Sequence, residues 1–151
     1  MQAWRIAKRQ HALDRQGTGA RLAGGRWNSP DVAAIYAGLT PEIAALEKLV
    51  HIGDSLPADL VLVELELPDD QKLYQYYMLN DLPPGWDDLP SSAVATRLGD
   101  RFLLDSVHLG LIIPSSVMPE SNNIVLNPNH AAFSGVTMAI SRSFEFDSRL
   151  R

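Results

Sequence analysis

The stretch TPEIAALEKLVHIG, at positions 40–53, constrains the fold more than any other part of the chain. Thr40 is an N-cap residue, Pro41 suits the first helical position, and Glu42 complements the positive end of the helix dipole. Lys48 and His51 fall near the negative end, and Gly53 marks a stop. The expected helix is short and has an apolar run on each side. VAAIYAG (32–38) reads as a buried strand. DLVLVELELP (59–68) alternates, with Val61, Val63, Leu65 and Leu67 on one side and Glu64 and Glu66 on the other, as in a half-exposed strand. A helix between two short strands calls for a sheet with helices packed on it.

The remaining segments fit that plan. AWRIAK (3–8) reads as a first strand, RQGTGARLAGG (15–25) as a polar loop, and YYMLNDLPPGWDDLP (76–90) as a long proline-rich loop. SSAVATRLGDRFLL (91–104) reads as a second helix with a serine cap. VHLGLIIP (107–114) and NIVLN (123–127) are strands about a turn, and SRSFEFD (141–147) is a last one. A chain of 151 residues can bury a sizeable core as one domain, here taken as 1–151. The expected class is α+β, a single domain with mixed or antiparallel sheets and a few helices.

Charge and composition exclude several functions. The net charge is −5, yet Arg5, Lys8, Arg9, His11, Arg15, Arg21 and Arg26 crowd the first 26 residues. That polarity suits an anionic small molecule or an acidic partner better than nucleic acid. There is no cysteine, hence no disulfide framework, thiolate metal site or thiol nucleophile. No apolar run approaches the roughly 18 residues of a membrane span, and no h-region follows the basic start, so the expected location is the cytoplasm. His11, His51, His108 and His130 have no metal-binding spacing, so no metal is expected. Neither a phosphate-binding loop nor a nucleophile elbow is present.

Two places carry candidate chemistry. On a helical wheel Ile43, Leu46 and Val50 form the core-facing stripe, with Glu47 on its edge, about 40° from Ile43, and Lys48 pointing away. A carboxylate there costs desolvation unless it bends to water, meets an arginine or faces a cleft. Upstream, GGRWNSP (24–30) sets Arg26, Trp27 and Asn28 in a tight turn, and Tyr36 closes the following strand.

In order along the chain, the blocks GTGA, GGRWNSP, IYAG, ALEKLVH and LGLIIPSSVMPESNNIVLNPNH resemble the RES domain, named for an arginine, a glutamate and a serine. The matching positions are Arg26, Glu47 and Ser115, and the resemblance runs from Trp4 to His130. Asp31 stands where the family often has glycine and Phe102 near a common tryptophan; Ser116 follows Ser115 directly. The resemblance implies an ADP-ribosyltransferase-like fold and a bacterial toxin that destroys NAD+ or uses it as an ADP-ribose donor. NAD+ is then a substrate, and no prosthetic group is expected. Glu47 would stabilise an oxocarbenium-like ribosyl cation. Arg26 would meet the pyrophosphate or an adjacent ribose oxygen, and Tyr36 would offer a ring face to the nicotinamide. Ser115 would orient Glu47 or the substrate. Asn28 would fix its loop or meet the adenylate half, and Trp27 would pack in the core in preference to stacking on substrate.

Water, phosphate and a protein side chain are the open acceptors. A protein ADP-ribosyltransferase and a catalytically idle binding module of the same fold are the competing readings. The implied partner is an Xre-like antitoxin with a helix-turn-helix, which occludes the active site and itself makes any DNA contact; a homodimer within a larger heteromeric complex is compatible with this. The acidic loop around Trp86 is read first as a segment anchored by a buried ring, and second as a lid or partner contact.

Overall fold

The computed structural model describes residues 1–150. Its strands are β1 (Gln2–Lys8), β2 (Ile35–Gly38), β3 (Leu60–Glu66), β4 (Tyr74–Tyr76), β5 (Gly110–Pro114), β6 (Asn122–Leu126) and β7 (Thr137–Phe144). They form one seven-stranded sheet in the order β4-β5-β6-β2-β1-β3-β7. Every neighbouring pair is antiparallel except β4 and β5, which run parallel. The helices are α1 (Thr18–Ala23), α2 (Pro41–Val50) and α3 (Ala93–Asp105). The α+β class and mixed sheet agree with the sequence reading.

Local rules account for the helix ends. Thr40 Oγ1 accepts the Ile43 N–H at 3.3 Å, Pro41 occupies the first turn, and His51 closes α2 two residues before Gly53. Ser92 caps α3 by accepting the Val94 N–H. The segment expected to be a polar loop contains α1, whose entry is held by Asp14, with its carboxylate accepting the Gln16 and Thr18 N–H groups. Two glycines and a threonine within a few residues hid that helix, because their intrinsic preference opposes it. The run expected to end at Leu67 on one apolar face is buried on both: Leu60 and Leu62 join Ile6, with Trp4, Ala45, Phe144 and Phe146 against them. The last strand runs Thr137–Phe144, starting before the expected SRSFEFD segment (141–147), and β4 was not foreseen.

One face of the sheet packs the main core of Val61, Val63, Leu65, Ile124, Leu126 and Phe133. A second cluster lies under α3, where Phe102 and Leu103 meet Leu111, Ile113 and Val125, and Trp27 stacks on Trp86 with ring centroids 6.2 Å apart. The bland reading of the acidic loop is thus correct for Trp86, which is 6 % exposed. α2 packs on β1, β2 and β6. It comes close to β2 because Gly38 lacks a side chain: a Cβ there would stand 2.5 Å from Ile43 Cγ2.

The tightest approach joins α3 to the GGRWNSP turn. A Cβ on Gly99 would lie 1.8 Å from the carbonyl oxygen of Trp27. Gly99→Ala therefore has to push the turn off α3, and urea denaturation should show a loss of about 1–3 kcal/mol, the usual cost of overpacking. Unchanged stability would mean that the turn yields freely.

Candidate active site

The turn from Gly24 to Pro30 is built around one buried amide. Gly24 has φ +74°, and Gly25 and Asn28 exchange backbone hydrogen bonds across the turn. Asn28 Nδ2 donates to the carbonyls of Ala20, Ser29 and Val32 at 2.8, 3.2 and 2.9 Å. Its Oδ1 accepts the Tyr36 hydroxyl at 2.6 Å, and the same hydroxyl accepts the Trp27 N–H at 3.0 Å. Gly25 leaves room for this, since a Cβ there would sit 2.8 Å from the Tyr36 hydroxyl. From the other side α3 holds the turn through Thr96 Oγ1 on the Arg26 carbonyl and Asp100 on the N–H and hydroxyl of Ser29.

These contacts choose between the alternatives left open for two residues. Asn28 is 1 % exposed with its carboxamide committed inside the fold, so it fixes the loop and is not placed to meet a substrate. The ring of Trp27 is buried on Trp86, the core-packing alternative, although the residue borders the cleft. Burial, with Asp100 nearby, pushes the Tyr36 phenol well up, against smaller opposing effects of the Trp27 N–H and Arg26. The hydroxyl therefore stays protonated and spends its bonds within the protein, leaving the half-buried ring for the cleft.

That cleft has a volume of about 840 Å³, towards the upper end for ligand pockets. It is bordered by β1, the turn, β2, one face of α2, Leu89, Ser91, Ser116 and β6. Arg26, Tyr36 and Glu47 all line it. The wheel placed α2 wrongly by part of a turn. Ile43 and Ala44 are its buried residues, whereas Val50 is 52 % exposed and borders the cleft together with Lys48 and His51. The end of α2 overhangs a cleft instead of a core, so apolar spacing alone misjudged it.

Glu47 is fixed by two side chains. Ser115 Oγ donates to its Oε1 at 2.7 Å and Asn123 Nδ2 donates to the same oxygen at 2.6 Å. Ser115 is fully buried, and its oxygen accepts the N–H groups of Val117 and Met118 at 3.0 and 3.1 Å. With its lone pairs so occupied, the single proton of Ser115 belongs to Glu47. Ser115 does not border the cleft; of the two alternatives, it is placed to orient the carboxylate and not to touch a ligand.

Arg26 Nη1 donates to the carbonyls of Trp86 and Asp88 at 2.9 and 3.0 Å, so this arginine clasps the loop over the cleft as well as bordering it. Two further cations were missed as site residues. Arg5 on β1 and Lys48 on α2 both line the cleft. Burial lowers the Arg5 pKa, with Asp14 partly offsetting it; burial, Arg5 and Lys8 all lower that of Lys48. Arg5 was visible only as part of the basic N-terminal stretch, and no pattern placed it opposite Lys48. Among the described residues, Glu47 is the one acidic side chain lining the cleft. No group of three or more His, Asp or Glu among them is arranged to hold a metal, and no helix is long and apolar enough to cross a membrane.

The RES domain family model matches residues 2–147. The chain is 36 % identical to "Toxin Res" of Yersinia enterocolitica over the whole of both chains. It is 34 % identical to the "Prs ADP-ribosylating toxin" of a Sphingobium species, covering 97 % of this chain and 94 % of that one. In fold it is similar to a chain of the M. tuberculosis MbcT–MbcA toxin–antitoxin complex, with a TM-score of 0.66 at 17 % identity over 99 % of this chain and 85 % of the other.

Tyr36→Phe would leave both Asn28 Oδ1 and the Trp27 N–H without their partner. Each buried group so orphaned costs about 1–3 kcal/mol. A clear drop in the urea midpoint is expected. A midpoint equal to wild type would show that the hydroxyl does not hold the turn.

Proposed function

The chain belongs to the RES domain family, and on that premise we propose that it is the toxin of a bacterial toxin–antitoxin pair and breaks the nicotinamide–ribose bond of NAD+. The observation that supports this most directly is the cleft's charge pattern: one oriented carboxylate, Glu47, among the cations Arg5, Arg26 and Lys48. NAD+ is the complement of such a site, with a pyrophosphate and a cationic nicotinamide on one molecule.

Nicotinamide leaves with the electron pair of the glycosidic bond and becomes neutral, so no strong general acid is needed. The ribosyl carbon becomes oxocarbenium-like. Glu47, held in place by its two donors, stabilises that positive charge across a short distance. Arg5 and Lys48 hold the phosphates; binding an anion also relieves their mutual repulsion. Arg26 holds the loop at the mouth and keeps donors for the ligand, and the Tyr36 ring borders the nicotinamide. The ADP-ribosyl group then passes to water, to phosphate or to a protein. The name of the Sphingobium relative, an ADP-ribosylating toxin, favours keeping the protein acceptor among these.

The likeness to a toxin–antitoxin complex supports an antitoxin as partner. In this reading it is an Xre-like protein with a helix-turn-helix that covers the cleft and carries the DNA contact, and a toxin homodimer lies within the larger assembly. The place of action is the cytoplasm.

Purified protein with NAD+ should release free nicotinamide, and the mass of the second product names the acceptor; radiolabelled NAD+ with lysate reveals a protein acceptor. Glu47→Gln should lower the rate by ~10²–10³, the scale of losing one electrostatic contact made in the transition state. Arg5→Met and Lys48→Met should mainly raise KM. Intact NAD+ in every arm, lysate included, would sink the proposal.

A further inference from the structure

We propose that Asn123 is the positioning residue that decides which oxygen of Glu47 faces the reacting ribose, an inference that rests on the function proposed above. Asn123 lies on β6, opposite Gly38 of β2 and Ile113 of β5. Because Gly38 has no side chain, nothing on β2 stands between the carboxamide and α2, and Nδ2 reaches Glu47 Oε1 at 2.6 Å. Ser115, just beyond β5, donates to that same Oε1 at 2.7 Å. Glu47 Oε2 accepts no hydrogen bond from a described residue.

Two donors meeting on one oxygen do what one cannot. A single bond restrains the distance but lets the carboxylate turn about its last torsion, which is broad for glutamate. A second donor from a different direction fixes the plane, and with it the direction of Oε2. Oε1 is thereby held by the protein, and Oε2 is the oxygen offered to the developing ribosyl cation.

The two donors are not equivalent. Ser115 is fully buried and saturated by Val117, Met118 and Glu47. Asn123 is half-buried and borders the cleft. It is therefore the partner of Glu47 nearest to a ligand. An amide suits that place: it has N–H donors for Glu47, and unlike an aspartate it adds no second negative charge to compete for the cation.

The test uses the full chain as wild type, Asn123→Ala, Asn123→Asp and Ser115→Ala, with initial rates of nicotinamide release against NAD+ concentration. Both Asn123 variants should lose ~10–100-fold in kcat with KM within ~3-fold, the signature of misplacing a group that acts in the transition state. Asn123→Asp keeps the shape but adds a charge beside Glu47, and Asn123→Ala adds no charge but opens space; a loss common to both belongs to the missing donor and not to packing or charge. A raised KM at unchanged kcat would make Asn123 a ground-state ligand contact instead, and full kcat in Asn123→Asp would show the donor to be dispensable; either overturns the inference. Growth arrest on expression gives a readout that does not depend on the identity of the substrate, and there Asn123→Ala and Glu47→Ala should both relieve arrest. Arrest at wild-type strength in Asn123→Ala overturns the inference whatever the substrate. A wild-type chain that arrests growth but leaves NAD+ intact overturns the NAD+ reading alone, and the growth series then decides the role of Asn123. A wild-type chain that does neither overturns both.

Discussion

The geometry of this site depends on the buried carboxamide of Asn28. Its two N–H groups serve three carbonyls, one within α1, one in the turn and one just after it, and its oxygen takes the Tyr36 hydroxyl of β2. One side chain thus ties helix, turn and strand to a common point from which Arg26 projects. An apolar replacement of similar shape would leave three carbonyls and a phenol to find partners in a dry interior. The position of Arg26 and the orientation of the Tyr36 ring are consequences of satisfying that amide.

A second constraint is electrostatic. Burying Arg5 beside Lys48 costs desolvation and repulsion at once, and Asp14 compensates only in part. A fold selected for stability alone would place an acid between them or move one to the surface. Glu47 does not fill that role, because its Oε1 is held by Ser115 and Asn123. The unbalanced positive charge makes sense as a site whose compensating charge arrives with the ligand. Under the proposed reaction a single carboxylate is enough, since it would answer a cation that exists only while the glycosidic bond breaks.

Much of this was legible in the residues, and the failures have physical causes. The cap of α2, the serine cap of α3 and the β5–β6 pair follow from local rules and came out as expected. The order of Arg26, Tyr36 and Glu47 led to one cleft, and all three do line it. For Asn28 the residues left two roles open, because a polar residue in a glycine turn is usually solvated; the packing of α1 and β2 against the turn buries it and leaves the loop-fixing role. Lys48 and Val50 were misplaced because a helical wheel assumes a core on one side and water on the other, whereas the end of α2 faces a cleft that is neither. Arg5 showed only as one of the crowded N-terminal cations, and Asn123 left no local signal. They stand 118 positions apart in sequence and meet the same cleft only through the pairing of β1 and β6 with the central β2.

The clasp between Arg26 and the loop carrying Trp86 adds a dependence that neither motif suggests alone. Trp86 is anchored by stacking on Trp27, and the carbonyls of Trp86 and Asp88 rest on Arg26, so two consecutive residues of one turn hold the loop by its ring and by its backbone. Only Nη1 makes those two bonds, and a guanidinium has five N–H donors in a fixed plane. Arg26 can therefore meet an anion with its other nitrogens without releasing the loop, whereas a lysine, with one compact head, would have to share a single centre between both tasks. An arginine suits this position because one group can hold the loop by one nitrogen and still border the cleft with the others.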